Sequence, residues 1–272
     1  MEILNQMDTL EQKLKELCIS SNGPEYINTL NQLVDICGMN GQLQKAIYYA
    51  EKLKEINEAE NNLPELSRNL DILGRLFTMK ADLNKADEYL QAALVISQKL
   101  GNQKNQSYNL MNIAHVLRRF GKLDESLESY FQAKELMDIL LENVEEKQDM
   151  QFIKNYIQVL NQIGVLYNIL EQPLKALEYM ELSLKKAREF KILSSIYTGL
   201  INLGVYYSEE DSDKSLDYYL EPMPYVEKSG NKHIFSIVLN NIGGVYEDKG
   251  NYTSALQYYF KSLELVEQLE YN

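Results

Sequence analysis

One arrangement of apolar positions returns six times along this chain: a leucine, two residues, an apolar residue, a small residue, and an apolar or tyrosyl residue three places on. The copies begin at Leu30, Leu70, Leu110, Leu160, Leu200 and Leu239. Their small positions are Val34, Gly74, Ala114, Gly164, Gly204 and Gly243, and their later positions are Cys37, Phe77, Leu117, Tyr167, Tyr207 and Tyr246. Spacing of i, i+3, i+4 and i+7 places these residues on one stripe of an α-helix. A second small residue follows twelve residues after the first, or eleven in the fifth copy: Ala46, Ala86, Ser126, Ala176, Ser215 and Ala255. Between the two lie helix-breaking clusters such as Gly38-Met39-Asn40-Gly41, Phe120-Gly121-Lys122 and Glu171-Gln172-Pro173. Each copy therefore predicts an antiparallel helix pair, A then B, joined by a short turn and touching at the small residues. The copies are 40, 40, 50, 40 and 39 residues apart, and self-similarity at such a period predicts a solenoid.

The expected organisation is a capping amphipathic helix within residues 1–22, then six repeats over 23–272, at about 24–62, 63–102, 103–150, 151–190, 191–230 and 231–270. Two copies depart from the rule. The third carries ten extra residues, and Leu127 to Tyr156 reads as one extended helix holding the charged run from Glu142 to Asp149. The fifth contains Glu221-Pro222-Met223-Pro224. Proline inside a helix costs about 3 kcal/mol, so helix B of that repeat is expected to kink or stop near Glu221. Pro24, Pro64 and Pro173 sit instead at helix starts, where proline is tolerated.

The motif Leu-Gly-x-x-Phe/Tyr on helix A, with Ala-x-x-x-Tyr-x-x-Ala/Ser on helix B (Ser126, Tyr130, Ala133; Ala255, Tyr259, Ser262), resembles the tetratricopeptide repeat family over about residues 24 to 270. The resemblance departs from the family where its first aromatic is Leu in all six copies and where the repeats run longer than about 34 residues. Longer repeats of this kind look like those of bacterial signalling, scaffold and adaptor proteins. The resemblance implies an all-α, right-handed superhelix whose A helices line a concave face that binds a peptide or partner segment. The family's clamp for a C-terminal carboxylate is not matched: Asp35, Arg75 and His115 stand where Asn is expected, so chaperone tails are not the expected ligand.

Composition narrows the partners. Lys and Arg number 27 against 40 Asp and Glu, for a net charge of −13, so nucleic acid and anionic membranes are not expected partners. No apolar run is long enough to span a bilayer, and the N-terminus carries no secretory signal pattern. Cys18 and Cys37 read as two buried thiols in a reducing, cytoplasmic setting, with a disulfide the lesser alternative.

Catalytic chemistry is not expected. His115 and His233 fall on different repeats without a companion at metal-ligand spacing, there is no phosphate loop or nucleophile motif, and no cofactor is called for. The candidate ligand-binding residues lie on the A helices. Four of the five arginines, Arg68, Arg75, Arg118 and Arg119, fall on two adjacent A helices together with His115, a pattern suited to carboxylates. The competing reading pairs these arginines structurally with Asp71, Asp35 or carboxylates of helix B. Gln32, Asn112, Gln162, Asn202 and Asn241 recur at one repeat position, where amides serve an extended peptide backbone or bond across to the next repeat.

The expected function is a non-catalytic protein- or peptide-binding scaffold with an acidic peptide or protein segment as partner. The alternative is the sensing region of a longer signalling protein (kinase, cyclase or transcription regulator) with its output domain beyond Asn272. The chain stops after helix B of the sixth repeat without a polar cap. That reads as a fragment end, or as a face open to self-association.

Overall fold

The computed structural model describes residues 2–17, 23–143 and 145–270, and every regular element among them is helical. By compactness the chain divides into two units, Met1–Asn143 and Val144–Asn272. The first holds α1 (Glu2–Leu17), α2 (Pro24–Met39), α3 (Leu43–Ala59), α4 (Leu63–Met79), α5 (Leu83–Lys99), α6 (Gln103–Arg119) and α7 (Leu123–Leu140). The second opens with a 3-10 turn at Glu146–Gln148. It continues as α8 (Met150–Ile169), α9 (Pro173–Glu189), α10 (Leu193–Tyr207), α11 (Ser212–Leu220), α12 (Met223–Ser229), α13 (Lys232–Asp248) and α14 (Tyr252–Glu270). Within each unit consecutive helices pack as A/B pairs, and each pair stacks on the next, an α-solenoid arrangement.

The turns share one geometry. The residue after a left-handed turn residue donates its N–H to the carbonyl five places back, as Gln42 to Cys37, Asp82 to Phe77, Lys122 to Leu117 and Gln172 to Tyr167. This motif satisfies the last carbonyls of helix A and starts helix B two residues later. Glycine fills the left-handed place in several turns, but Asn61, Ala81, Glu171 and Lys191 hold it at φ of 52° to 64°. A side chain there costs about 1–2 kcal/mol. Asp82, Asn102, Asp149, Asp211 and Asn231 then cap the following helices by accepting from free N–H groups of the first turn.

The small residues of helix A are the points of closest approach. A Cβ built on Gly74 would lie 2.4 Å from Leu90 Cγ, and one on Gly164 would lie 2.8 Å from Met180 Cγ. On Gly204 and Gly243 it would stand 2.5 and 2.6 Å from the rings of Tyr219 and Tyr259. Where helix A carries Ala114, the matching residue of helix B is Tyr130, 1% exposed; where it carries Val34, the match is Ala50. When the second small residue is serine, its hydroxyl donates across the same contact: Ser126 to the Ala114 carbonyl and Ser215 to the Gly204 carbonyl, both at 2.7 Å.

A second contact seals the pair at its turn end. Phe77 stacks on Tyr89, Tyr207 on Tyr218 and Tyr246 on Tyr258, with ring centroids 5.4, 5.6 and 5.5 Å apart. Lys85, Lys175 and Lys214 lay their ammonium groups over Phe77, Tyr167 and Tyr207. The recurring late aromatic of the sequence pattern is thus half of a stack completed by helix B.

Helix α1 covers the first pair. Met7, Leu10, Leu14 and Leu17 join its core, and Cys37, buried and free, donates to Met7 Sδ at 3.7 Å. Glu11 accepts from Lys45 at 2.8 Å and from the Tyr49 hydroxyl at 3.0 Å, and the bond from Lys45 holds its carboxyl below the usual range. Cys18, read as the second buried thiol, lies outside the described residues.

Two expectations meet the prolines and the long third copy. The B helix of the fifth copy does break, at Leu220, and restarts as α12 with Pro224 in its first turn. The extended helix over Leu127 to Tyr156 is corrected: α7 ends at Leu140, and Asp149 caps a new helix by accepting from the backbone N–H of Gln151 and Phe152. Leu, Met and Ile continued the apolar spacing across the break, while the capping aspartate was read as part of a charged run.

The contact at Gly204 gives a first test. In an open helix Gly→Ala gains roughly 1 kcal/mol, but here the new methyl meets a packed tyrosine. Gly204→Ala is expected to lower unfolding stability by about 1–3 kcal/mol in urea titrations, and Tyr219→Leu introduced with it should return part of that loss. A Gly204→Ala variant more stable than the parent would show that the helices are not in tight contact.

Candidate functional site

Helix A residues turned away from the B-helix contact line clefts, and in five of the six copies these include the place two before the leucine: Asn28, Arg68 and Tyr108 in the first unit, Gln158 and Thr198 in the second. The first unit has a cleft of about 470 Å³ between α2, α3 and α4. It shares Arg68 and Ile72 with a neighbouring cleft of about 250 Å³ reaching α6. The second unit has one of about 350 Å³ between α8, α9 and α10, lined by Gln151, Lys154, Gln158, Gln162, Ser194 and Thr198 among others, with no carboxylate. In a chain of net charge −13, that is a local reversal of composition.

Asp71 organises the smaller cleft. Its Oδ1 accepts from Asn109 Nδ2 at 3.0 Å and Asn112 Nδ2 at 2.8 Å, and its Oδ2 accepts from Arg75 Nε at 3.1 Å. Asn109 Oδ1 accepts in turn from the Ser97 hydroxyl at 2.9 Å. The chain of bonds fixes α6 on α4 and α5, which is the competing reading of Arg75 and Asn112 made concrete. Asn202 does the same in the second unit, donating to Asn161 Oδ1 at 2.8 Å.

The other sequence candidates fall as follows. Arg68 is exposed in both first-unit clefts, with Glu65 at 3.8 Å. Arg119 donates to the Thr78 carbonyl, tying α6 to the end of α4. Arg118 buries its Nε without a partner among the described residues. His115 is half-buried, and burial, followed by Arg118 and Arg119, pushes its imidazole below the usual value. Gln162 lines the second-unit cleft with Oε1 buried and unpartnered, and Asn241 is half-buried on α13. Arg68 and Arg75 therefore meet in one cleft, whereas Arg119 is spent on an internal bond.

The residue that sequence reading passed over is Asn69. It is 4% exposed, lines the larger cleft, and neither its Nδ2 nor its Oδ1 has a partner among the described residues. Asn109 holds the same register one repeat later with both atoms engaged. The places of Ser97 and Asp71 are taken by Asn57 and Asn31, and Asn31 turns its amide to the Ile27 carbonyl at 3.1 Å. The network that closes one repeat later is here left open beside a cleft. An Asn directly before the leucine in two consecutive copies was the available signal.

A tetratricopeptide repeat model matches residues 238–270. The chain has a tetratricopeptide-like repeat fold. Solved structures share the fold of this repeat protein. The apo form of RapI has a TM-score of 0.77 at 14% identity, covering 100% of this chain and 94% of that one. The Rap conjugation gene regulator of plasmid pLS20, in complex with the Phr* peptide, has a TM-score of 0.68 at 16% identity, covering 99% and 70%. A signal transduction ATPase with a tetratricopeptide repeat sensor from Pyrococcus horikoshii has a TM-score of 0.72 at 17% identity, covering 97% and 40%. No curated protein matches the repeat protein in sequence. Among its described residues no His, Cys, Asp and Glu cluster could hold a metal ion, and no helix is long and apolar enough to cross a membrane.

Asp71 carries the structural half of this site. Asp71→Ala strands two amide donors and the Arg75 guanidinium, and is expected to lower unfolding stability by about 2–3 kcal/mol in chemical denaturation. A change below about 0.5 kcal/mol would show the network to be incidental.

Proposed function

We propose that this chain is a non-catalytic binding scaffold whose A-helix clefts capture an extended protein or peptide segment by pairing side-chain amides with its backbone. The observation that carries this reading is Asn69, a carboxamide with both edges buried and unpaired at the side of the larger of the two clefts that share Arg68. Leaving such a group unsatisfied costs about 1–3 kcal/mol for each polar atom, a cost a fold retains where a ligand repays it. A peptide group offers one donor and one acceptor, the complement of a carboxamide's two edges. Gln162 repeats the theme in the second unit with one unpaired acceptor. The pLS20 regulator, a structure of like fold in complex with a peptide, is consistent with a segment in such clefts.

Within this reading Arg68 offers the charge for an acidic side chain of the ligand, since its ion pair with Glu65 is long and exposed. Arg75 lines the same cleft, Asn112, His115, Arg118 and Arg119 lie on the next A helix of that unit, and Asn202 and Asn241 hold the register of Asn112 in the second unit; the setting is cytoplasmic, where Cys37 stays a thiol. The likeness to the repeat sensor of a signal transduction ATPase favours a second reading on the same clefts, in which capture regulates an output domain of a longer protein.

Asn69→Leu tests the scaffold. Replacing an unpaired buried amide by an apolar isostere is expected to raise unfolding stability by about 1 kcal/mol or more, while peptides selected from a displayed library lose roughly tenfold in affinity. Titration calorimetry and thermal unfolding read the two effects. A variant that is destabilised and binds the selected peptides as before would refute the assignment.

A further inference from the structure

The two junctions between A helices of the first unit share one register and differ in what fills it. Between α4 and α6, Asp71 accepts three bonds, from Asn109 Nδ2 at 3.0 Å, Asn112 Nδ2 at 2.8 Å and Arg75 Nε at 3.1 Å. Between α2 and α4 the places of Asp71, Asn109, Asn112 and Arg75 are held by Asn31, Asn69, Ile72 and Asp35. Asn31, Asn69 and Ile72 all line the cleft of about 470 Å³. Asn69 follows Asn31 by the same 38 residues that separate Asn109 from Asp71, yet neither polar atom of Asn69 has a partner among the described residues.

Two features withhold the bond. A carboxylate brings two acceptor oxygens and no donor, whereas a carboxamide brings one oxygen and an amino group that must also be placed. Asn31 places its amino group on the Ile27 carbonyl of its own helix, at 3.1 Å. In the second unit Asn161, an amide at the same register, does accept from the next A helix, but its donor is Asn202. Ile72 stands at the place of Asn202 and has no donor to give. Asn31 therefore lacks both the charge that draws Asn109 to Asp71 and the donor that engages Asn161. Asp35, one turn on, stands where Arg75 steadies Asp71, so α2 carries no cation there to support a second carboxylate.

We propose, resting on the cleft reading above for what Asn69 is free to bind, that Asn31 is a positioning residue of the larger cleft. As a neutral amide turned onto its own helix, it leaves Asn69 uncommitted. An aspartate at that place would accept from Asn69 as Asp71 accepts from Asn109, and would turn a binding junction into a structural one. One residue type at one register thus decides which of two neighbouring clefts keeps a free carboxamide.

A double-mutant cycle of Asn31→Asp and Asn69→Leu, read by chemical denaturation of the full chain, tests this. In the parent, Asn69→Leu is expected to lower the unfolding equilibrium constant about fivefold. In the Asn31→Asp background the sign reverses, because the same substitution now removes the donor to a charged acceptor, and the constant rises about tenfold or more. Repulsion from Asp35 is common to both members of that background and cancels. Asn31→Ala, which supplies no acceptor, should leave the effect of Asn69→Leu as it is in the parent. A role for Asn31 in packing alone would shift stability without reversing that sign. Absence of the reversal overturns the proposal. A peptide selected on the parent chain from a displayed library is the binding probe, and it should lose about tenfold in affinity on Asn31→Asp. Reversal with undiminished peptide binding upholds the control of Asn69 by Asn31 and refutes Asn69 as a ligand contact, so the two readings fail separately.

Discussion

The fold rests on one steric constraint: within each pair, helix A and helix B approach until the small residue of A lies against the side chain fifteen or sixteen places later on B. Interiors pack at crystal-like density, so volume removed from one side must be returned by the other. The pairs obey this without sharing residues. Glycine faces leucine, methionine or tyrosine; Ala114 faces Tyr130; and in the first pair the roles invert, with Val34 opposite Ala50. What the repeats hold in common is a summed volume at a crossing point, more than any one residue. The backbone approach also explains the serines, because only a helix this close brings its carbonyls within reach of Ser126 and Ser215.

Stacking of pairs follows a different logic. The contact between one A helix and the next is partly polar, and an amide buried there must be answered in full or left as a cost. Asn109 is answered, by Ser97 and Asp71, and that junction is locked. Asn69 is not answered, and that junction stands beside the larger cleft. Two neighbouring junctions with the same backbone geometry thus differ in whether their hydrogen bonds close internally. A solenoid has no single central cavity, so it is at junctions of this kind that a local departure creates a place for something else to bind.

Much of this was legible in the sequence, for physical reasons. The helix stripes, the turns at Gly41, Gly121 and Gly250, and the stop before Pro222 each follow from one residue's steric requirement. Other features obey no local rule. Ala81, Glu171 and Lys191 take a left-handed conformation that their side chains oppose, and the turn is imposed by the helices on either side. The break after Leu140 hid behind apolar residues that continue the spacing. At the site, residue type announced amides and arginines, but partnership depends on neighbours about forty residues away. Asn112 proved to be committed to Asp71, 41 residues before it, while Asn69, outwardly one more helix asparagine, proved to be uncommitted.

The two kinds of polar residue therefore call for opposite reasoning. A buried amide that is fully bonded explains itself by stability, and removing it should harm the fold. One that is buried and unbonded is a debit in the isolated molecule, so stability cannot be why it is there. In a structure assembled from one repeated contact, an unanswered amide is a contact with one half present. Its chemistry describes the missing half, an amide-bearing backbone for the clefts.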